Sequence, residues 1–261
     1  MQLPIKEIVF CRLVNRQYRY IVDKLWYNLC RRDFYVEMEI ISENTYFGVY
    51  KTIFSLKKLV KELYLFEPAD LNALLNLEKF SCNNTQIKKF PTCLSVIKKL
   101  KVLSITNTFI THVPKASLIN LRHLKDLCLT DNELTKVPKG LEKLNLKKLD
   151  LSHNSIKNVS RLWVLTTLKE LNISDNHVKD LSNIQNLVNL RILRARYNDI
   201  EEIPDIKNLN KLNYIDMSYN YIREIPPYFY DLTTLETLFL ASNYIQDNPE
   251  YIKFNFRLVI K

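Results

Sequence analysis

Residues 146–156 read LKKLDLSHNSI, with Leu146, Leu149, Leu151 and Ile156 apolar and a single asparagine, Asn154, near the end. In the segment Leu149-Asp150-Leu151 the apolar residues alternate with a polar one, the period of a strand that buries one face only. A strand this short cannot bury its leucines alone. It needs neighbours of the same kind, and the chain supplies them.

Copies of L-x-x-L-x-L-x-x-N-x-I open at Leu77, Leu100, Leu124, Leu146, Leu168, Leu190, Leu212 and Leu235, at spacings of 22 to 24 residues. LKELNISDNHV from Leu168 and LNYIDMSYNYI from Leu212 are the other clear copies. Stacking eight such units makes one continuous apolar core, with stability accumulating from neighbour to neighbour. Over about residues 71–245 the pattern resembles the leucine-rich repeat family. The resemblance implies an α/β solenoid, a horseshoe with a parallel concave β-sheet.

The ninth position holds Asn132, Asn154, Asn176, Asn198, Asn220 and Asn243, with Thr85 and Thr108 in the first two copies. Amides or hydroxyls there are expected to satisfy backbone groups where the strand turns inward, as a ladder and not as a site. Prolines at 91, 114, 138, 204 and 226 recur just after the strands and stop them continuing. The return path has room for a short helix, a 3₁₀ turn or an extended segment. After Asn243 the pattern dissolves, and Phe254, Phe256, Leu258 and Ile260 alternate as a closing strand would. The expected organisation is residues 1–66 as a helical region and N-terminal cap, 67–245 as repeats and 246–261 as a C-terminal cap.

Composition narrows the function. The chain of 261 residues is 47% hydrophobic and 25% charged, the balance of a folded protein. Two glycines leave no glycine-rich loop for phosphates, so nucleotide binding by such a loop is disfavoured. Five cysteines with no C-x-x-C pair point to reduced thiols. Residues 1–10 interrupt their apolar character with Pro4, Lys6 and Glu7, and no apolar run reaches the roughly 20 residues of a membrane helix. The expected location is cytoplasmic or nuclear. The net charge of +10 comes in scattered pairs such as Lys98–Lys99 and Lys147–Lys148, so nucleic acid ranks as the minor partner class.

Before the repeats, Val14, Tyr18, Ile21, Leu25 and Leu29 fall on one face of a helix. Leu3-Pro4, then Leu13-Val14 with Tyr18, then Leu25-Trp26 resemble an F-box, with fewer residues between Phe10 and Leu13 than that family carries. The F-box resemblance implies docking on the Skp adaptor of a cullin-type ubiquitin ligase, with Leu3, Pro4, Leu13, Val14, Tyr18, Leu25 and Trp26 as adaptor-binding residues. The other reading is a plain cap over the open N-terminal core.

Chemistry is expected to be absent. Asp150, Ser152 and His153 have the residue types of a hydrolase triad, but successive strand residues diverge and the trio occupies ordinary repeat positions. The remaining histidines lie in separate repeats, without metal-ligand spacing. No catalytic residue, metal or cofactor is expected. Cys82 falls on a leucine position, and Cys128 on the outward face.

The third, fifth and seventh positions, and in places the eighth, are expected to face outward. They are mostly small and polar until the sixth copy, LRILRARYNDI, brings Arg194, Arg196 and Tyr197, with Tyr214, Tyr219 and Phe239 close behind. Arginine and aromatic residues dominate binding hot spots, and paired guanidinium groups suit an acidic or phosphorylated segment. The chain is therefore read as a non-catalytic protein-binding module, a substrate receptor of a ubiquitin ligase or else a free-standing scaffold.

Overall fold

The chain divides into two compact units, Met1–Leu77 and Glu78–Lys261. The structure, a computed structural model, describes residues 75–246 and 254–260. The N-terminal region expected to be helical, with the residues expected to bind an adaptor, Leu3, Pro4, Leu13, Val14, Tyr18, Leu25 and Trp26, lies outside the described residues.

In the second unit the short strands stack in chain order: β1 (Lys79–Asn83), β2 (Val102–Thr106), β3 (Asp126–Cys128), β4 (Lys148–Asp150), β5 (Glu170–Asn172), β6 (Ile192–Arg194), β7 (Tyr214–Asp216), β8 (Thr237–Phe239) and β9 (Arg257–Val259). All neighbours pair in parallel, in one sheet ordered β1 to β9. In β1 to β8 the first apolar residue of each L-x-L, from Phe80 to Leu238, is at most 3% exposed. The sixth-position residues Ile105, Leu129, Leu151, Ile173, Ala195, Met217 and Leu240 are fully buried beside them. Each large side chain among these contributes about 1.5–3 kcal/mol of burial, which only the stack makes available.

Return segments are short, as a repeat of this length requires. Five are 3₁₀ turns (Thr92–Val96, Leu141–Lys143, Ser160–Val164, Ile184–Asn186 and Pro227–Asp231), and one is a single α turn, Lys115–Leu118. Pro91, Pro114 and Pro226 stand immediately before three of them, where a missing N–H costs nothing. Their carbonyls accept from the N–H groups of Leu94, Ser117 and Phe229.

Gly140 begins the Leu141–Lys143 turn at φ +99, and a β-carbon there would sit 3.1 Å from the Lys115 carbonyl oxygen. Gly140→Ala combines left-handed strain with a backbone clash. It is expected to lower stability by about 1–2 kcal/mol, read as a lower guanidinium midpoint at unchanged slope.

The asparagine column is a continuous hydrogen-bond ladder. Asn154 Nδ2 donates to the carbonyls of Leu129 (3.0 Å), Leu151 (3.1 Å) and Ser152 (3.1 Å), and Asn154 Oδ1 accepts from the Leu134 N–H at 2.9 Å. Asn132, Asn176, Asn198, Asn220 and Asn243 repeat the scheme. Thr108, buried in the second repeat, donates its hydroxyl to Asn132 Oδ1.

Beyond the repeats, β9 pairs with β8 through Phe239 and Val259. Just before it, Phe254 stacks on Tyr230 (4.6 Å between centroids) and on Phe256 (4.8 Å), and Phe256 meets Phe229 edge-on. Strand geometry is thus confined to Arg257–Val259, and Phe254 and Phe256 pack as an aromatic pile against the last return turn.

Candidate partner-binding surface

The face of the sheet opposite the core is built from the third and fifth positions, because both flank the inward residue of each strand. The seventh position differs from expectation. Ser152, Ser174 and Ser218 are buried, since the strand ends at the fifth residue and the chain turns inward. There the N–H groups of Ser152, Ser174 and Ser218 donate to the side chains of Asp150, Asn172 and Asp216 (2.9–3.1 Å), which close over the turn. The sixth repeat has Arg194 in that place, a side chain with no acceptor, and its seventh residue, Arg196, is exposed.

Two clusters follow. In the first, Arg194 Cζ lies 5.2 Å from the Tyr214 ring centroid, Tyr214 packs at 5.7 Å against Phe239, and Arg257 Cζ lies 6.0 Å from Phe239. In the second, Tyr197 and Tyr219 stack at 4.1 Å with a 16° interplanar angle, and Arg196 Cζ lies 4.7 Å from the Tyr197 centroid. The neighbouring Tyr219 hydroxyl raises the Tyr197 phenol above its usual pKa, so it remains neutral at physiological pH. All six residues singled out in the sequence, Arg194, Arg196, Tyr197, Tyr214, Tyr219 and Phe239, fall within these clusters.

Tyr197 and Tyr219 occupy the eighth position at φ +51 and +57. Asn84, Asn107, Asp131 and Asp175 stand there in other repeats, residues that tolerate the left-handed region, whereas a bulky side chain is strained in it. His153 and Ser242 take the same conformation in their repeats, so the left-handed backbone belongs to the eighth position of the repeat as such.

Neither arginine is neutralised: among the described residues Arg194 and Arg196 form no ion pair. Asp216 accepts from the Ser218 N–H, and Asp175 sits 3.6 Å from His153. One member of the first cluster, Arg257, and a separate tyrosine pair were not among the residues singled out from the sequence. Tyr221 and Tyr244 stack at 5.9 Å, both strongly exposed, and their recurrence at the tenth position was the available signal. For Arg257 the signal was the alternation of the closing strand, which sets it on the face opposite Leu258.

The triad residue types are not arranged as a triad. Ser152 Oγ donates to Asp150 Oδ1 at 2.6 Å, and His153, on the left-handed eighth position, pairs with Asp175 instead. Cys82 is buried in the core, and burial raises the thiol pKa of Cys128, which disfavours the thiolate. Among the described residues no group of three His, Cys, Asp or Glu side chains is placed to hold a metal ion, and no helix is long and apolar enough to cross a membrane.

A leucine-rich repeat model matches residues 98–156, a two-copy leucine-rich repeat model residues 144–186, and a single-repeat model residues 211–232. Between residues 98 and 232 the chain is thus built of leucine-rich repeats. Internalin C2 from Listeria monocytogenes is similar over 79% of this chain and 92% of its own, at 25% identity and a TM-score of 0.68. The receptor chain of a TLR13–ssRNA13 complex is similar in fold, with a TM-score of 0.60 at 23% identity; 73% of this chain aligns, covering 30% of that one. No curated protein sequence matches the chain.

Proposed function

We propose that the chain is a protein-binding module that grips an acidic or phosphorylated protein segment on the open sheet face of repeats six to eight. The observation that carries this reading is the pair Arg194 and Arg196, without ion-pair partners and braced by Tyr197, Tyr214 and Tyr219. A guanidinium held over an aromatic ring keeps its donors free, and it meets a carboxylate or phosphate with little ordering cost. The test is a peptide array probed with the full chain. Retention of acidic or phosphorylated peptides, lost on Arg194→Ala with Arg196→Ala, supports it; retention blind to charge refutes it.

The F-box resemblance of residues 1–66 extends the proposal. The chain presents its bound protein to a cullin-type ligase in the cytoplasm or nucleus, with Leu3, Pro4, Leu13, Val14, Tyr18, Leu25 and Trp26 engaging the Skp adaptor. Co-purification of the adaptor with the full chain, abolished by Leu25→Asp, is the expected result. Recovery of the repeat partner without any adaptor would identify a free-standing scaffold instead.

A further inference from the structure

The basic excess that looks scattered along the sequence is collected by the fold. Residues 98–101, 122–125, 144–147, 166–169, 188–191 and 210–213 lead into six successive strands, and they contain nine Lys and Arg with no Asp or Glu. The opposite flank, residues 107–114, 131–138, 153–160, 175–182, 197–204 and 219–226, carries eight Asp and Glu against four Lys and Arg. The sheet thus has a positive flank where its strands begin and a negative one where they end.

Within the positive flank the second position forms a regular column. The N–H groups of Lys125, Lys147, Lys169 and Arg191 donate to the carbonyls of Lys101, Lys125, Lys147 and Lys169 at 2.7–2.8 Å, so these residues sit directly beside one another. Neighbours stand about 4.8 Å apart, and Lys125 to Arg191 spans about 14 Å. Lys101 is paired with Glu78 at 2.6 Å; among the described residues the other eight cations of this flank have no ion pair. Lys125, Lys169 and Arg191 are exposed, and Lys147 is half-buried.

We infer that this flank is a second binding surface, for the phosphate backbone of a nucleic acid duplex, separate from the arginine–tyrosine face. A rigid row of evenly spaced, uncompensated cations suits a polymer with regularly spaced negative charge. The flank contains no Phe, Tyr or Trp, so it has no platform for stacking bases and contacts phosphate alone. It also lacks the aromatic anchors of a protein hot spot, and Val188 is its one strongly exposed apolar side chain, too little to enter a lipid surface.

Fluorescence anisotropy of the full chain with two labelled 20-base-pair DNA duplexes of unrelated sequence tests the inference. Both duplexes are expected to bind within about threefold of each other, with affinity falling steeply in salt. Lys125→Ser, Lys147→Ser, Lys169→Ser and Arg191→Ser combined should weaken binding at least 30-fold. It should also flatten the log–log salt slope by about 3 to 4, since each lost phosphate contact removes about 0.9. Arg194→Ala with Arg196→Ala should leave duplex binding within about twofold, which separates this inference from the proposed protein-binding face. Duplex binding unchanged in the fourfold variant overturns it. So does capture by phosphatidylserine vesicles with no duplex bound.

Discussion

Asn154→Ala is expected to lower the free energy of unfolding by about 3–5 kcal/mol, although no apolar contact of the core is the target. The carbonyls of Leu129 and Leu151 each retain a second asparagine donor, Asn132 and Asn176. The Leu134 N–H, by contrast, has Asn154 Oδ1 as its acceptor and becomes a buried orphan. That penalty, the lost amide bonds and the cavity together reach the stated size. Because each repeat leans on its neighbours, guanidinium unfolding should lose cooperativity at the third and fourth repeats. Asn154→Asp sharpens the point: a carboxylate facing three carbonyl oxygens has its pKa raised in the folded state. A raised folded pKa favours the fold below the unfolded value of about 3.9 and disfavours it above, so this variant should be weakest at neutral pH and recover stability as pH falls. An unfolding free energy within about 0.5 kcal/mol of the parent for the alanine variant would show that the ladder does not hold the repeats together.

Removing both guanidinium groups, Arg194→Ala with Arg196→Ala, is expected to weaken binding of an acidic peptide by about 100- to 10,000-fold while leaving the melting temperature nearly unchanged. Charge-assisted contacts at the centre of an interface are worth about 1.5–3 kcal/mol each, and neither side chain forms an ion pair in the fold. Tyr197→Asn separates function from stability further. Asparagine is the ordinary occupant of this left-handed position, as at Asn84 and Asn107, so relieved strain offsets the lost ring stack. Stability should change by less than about 1 kcal/mol. Affinity should nevertheless fall at least tenfold, because Arg196 loses the ring that braces it. Isothermal calorimetry on matched peptides, with and without the acidic residue, gives both numbers. Undiminished affinity in the double arginine variant excludes this face as the site.

Much of the molecule was legible before any coordinate. Apolar residues every 22 to 24 positions determine the stack, because a three-residue strand has no other way to bury Leu149 and Leu151. The asparagine ladder was legible too, since a polar residue recurring between buried ones must find backbone partners. So was the alignment of Arg194, Asp216 and Phe239 on three neighbouring strands, because a column of the repeat becomes a row on the sheet. Tertiary structure decided what a column cannot encode. Asp150 folds over Ser152 and removes it from the surface, a local hydrogen bond that overrides strand alternation. Arg257 joins the face through β9, a pairing set by where the chain returns after the last repeat. The stacking of Tyr197 on Tyr219 depends on left-handed backbone at both residues, which periodicity does not reveal. The charge polarity likewise exists only once lysines some 22 residues apart become neighbours about 4.8 Å apart, a distance at which charges act together.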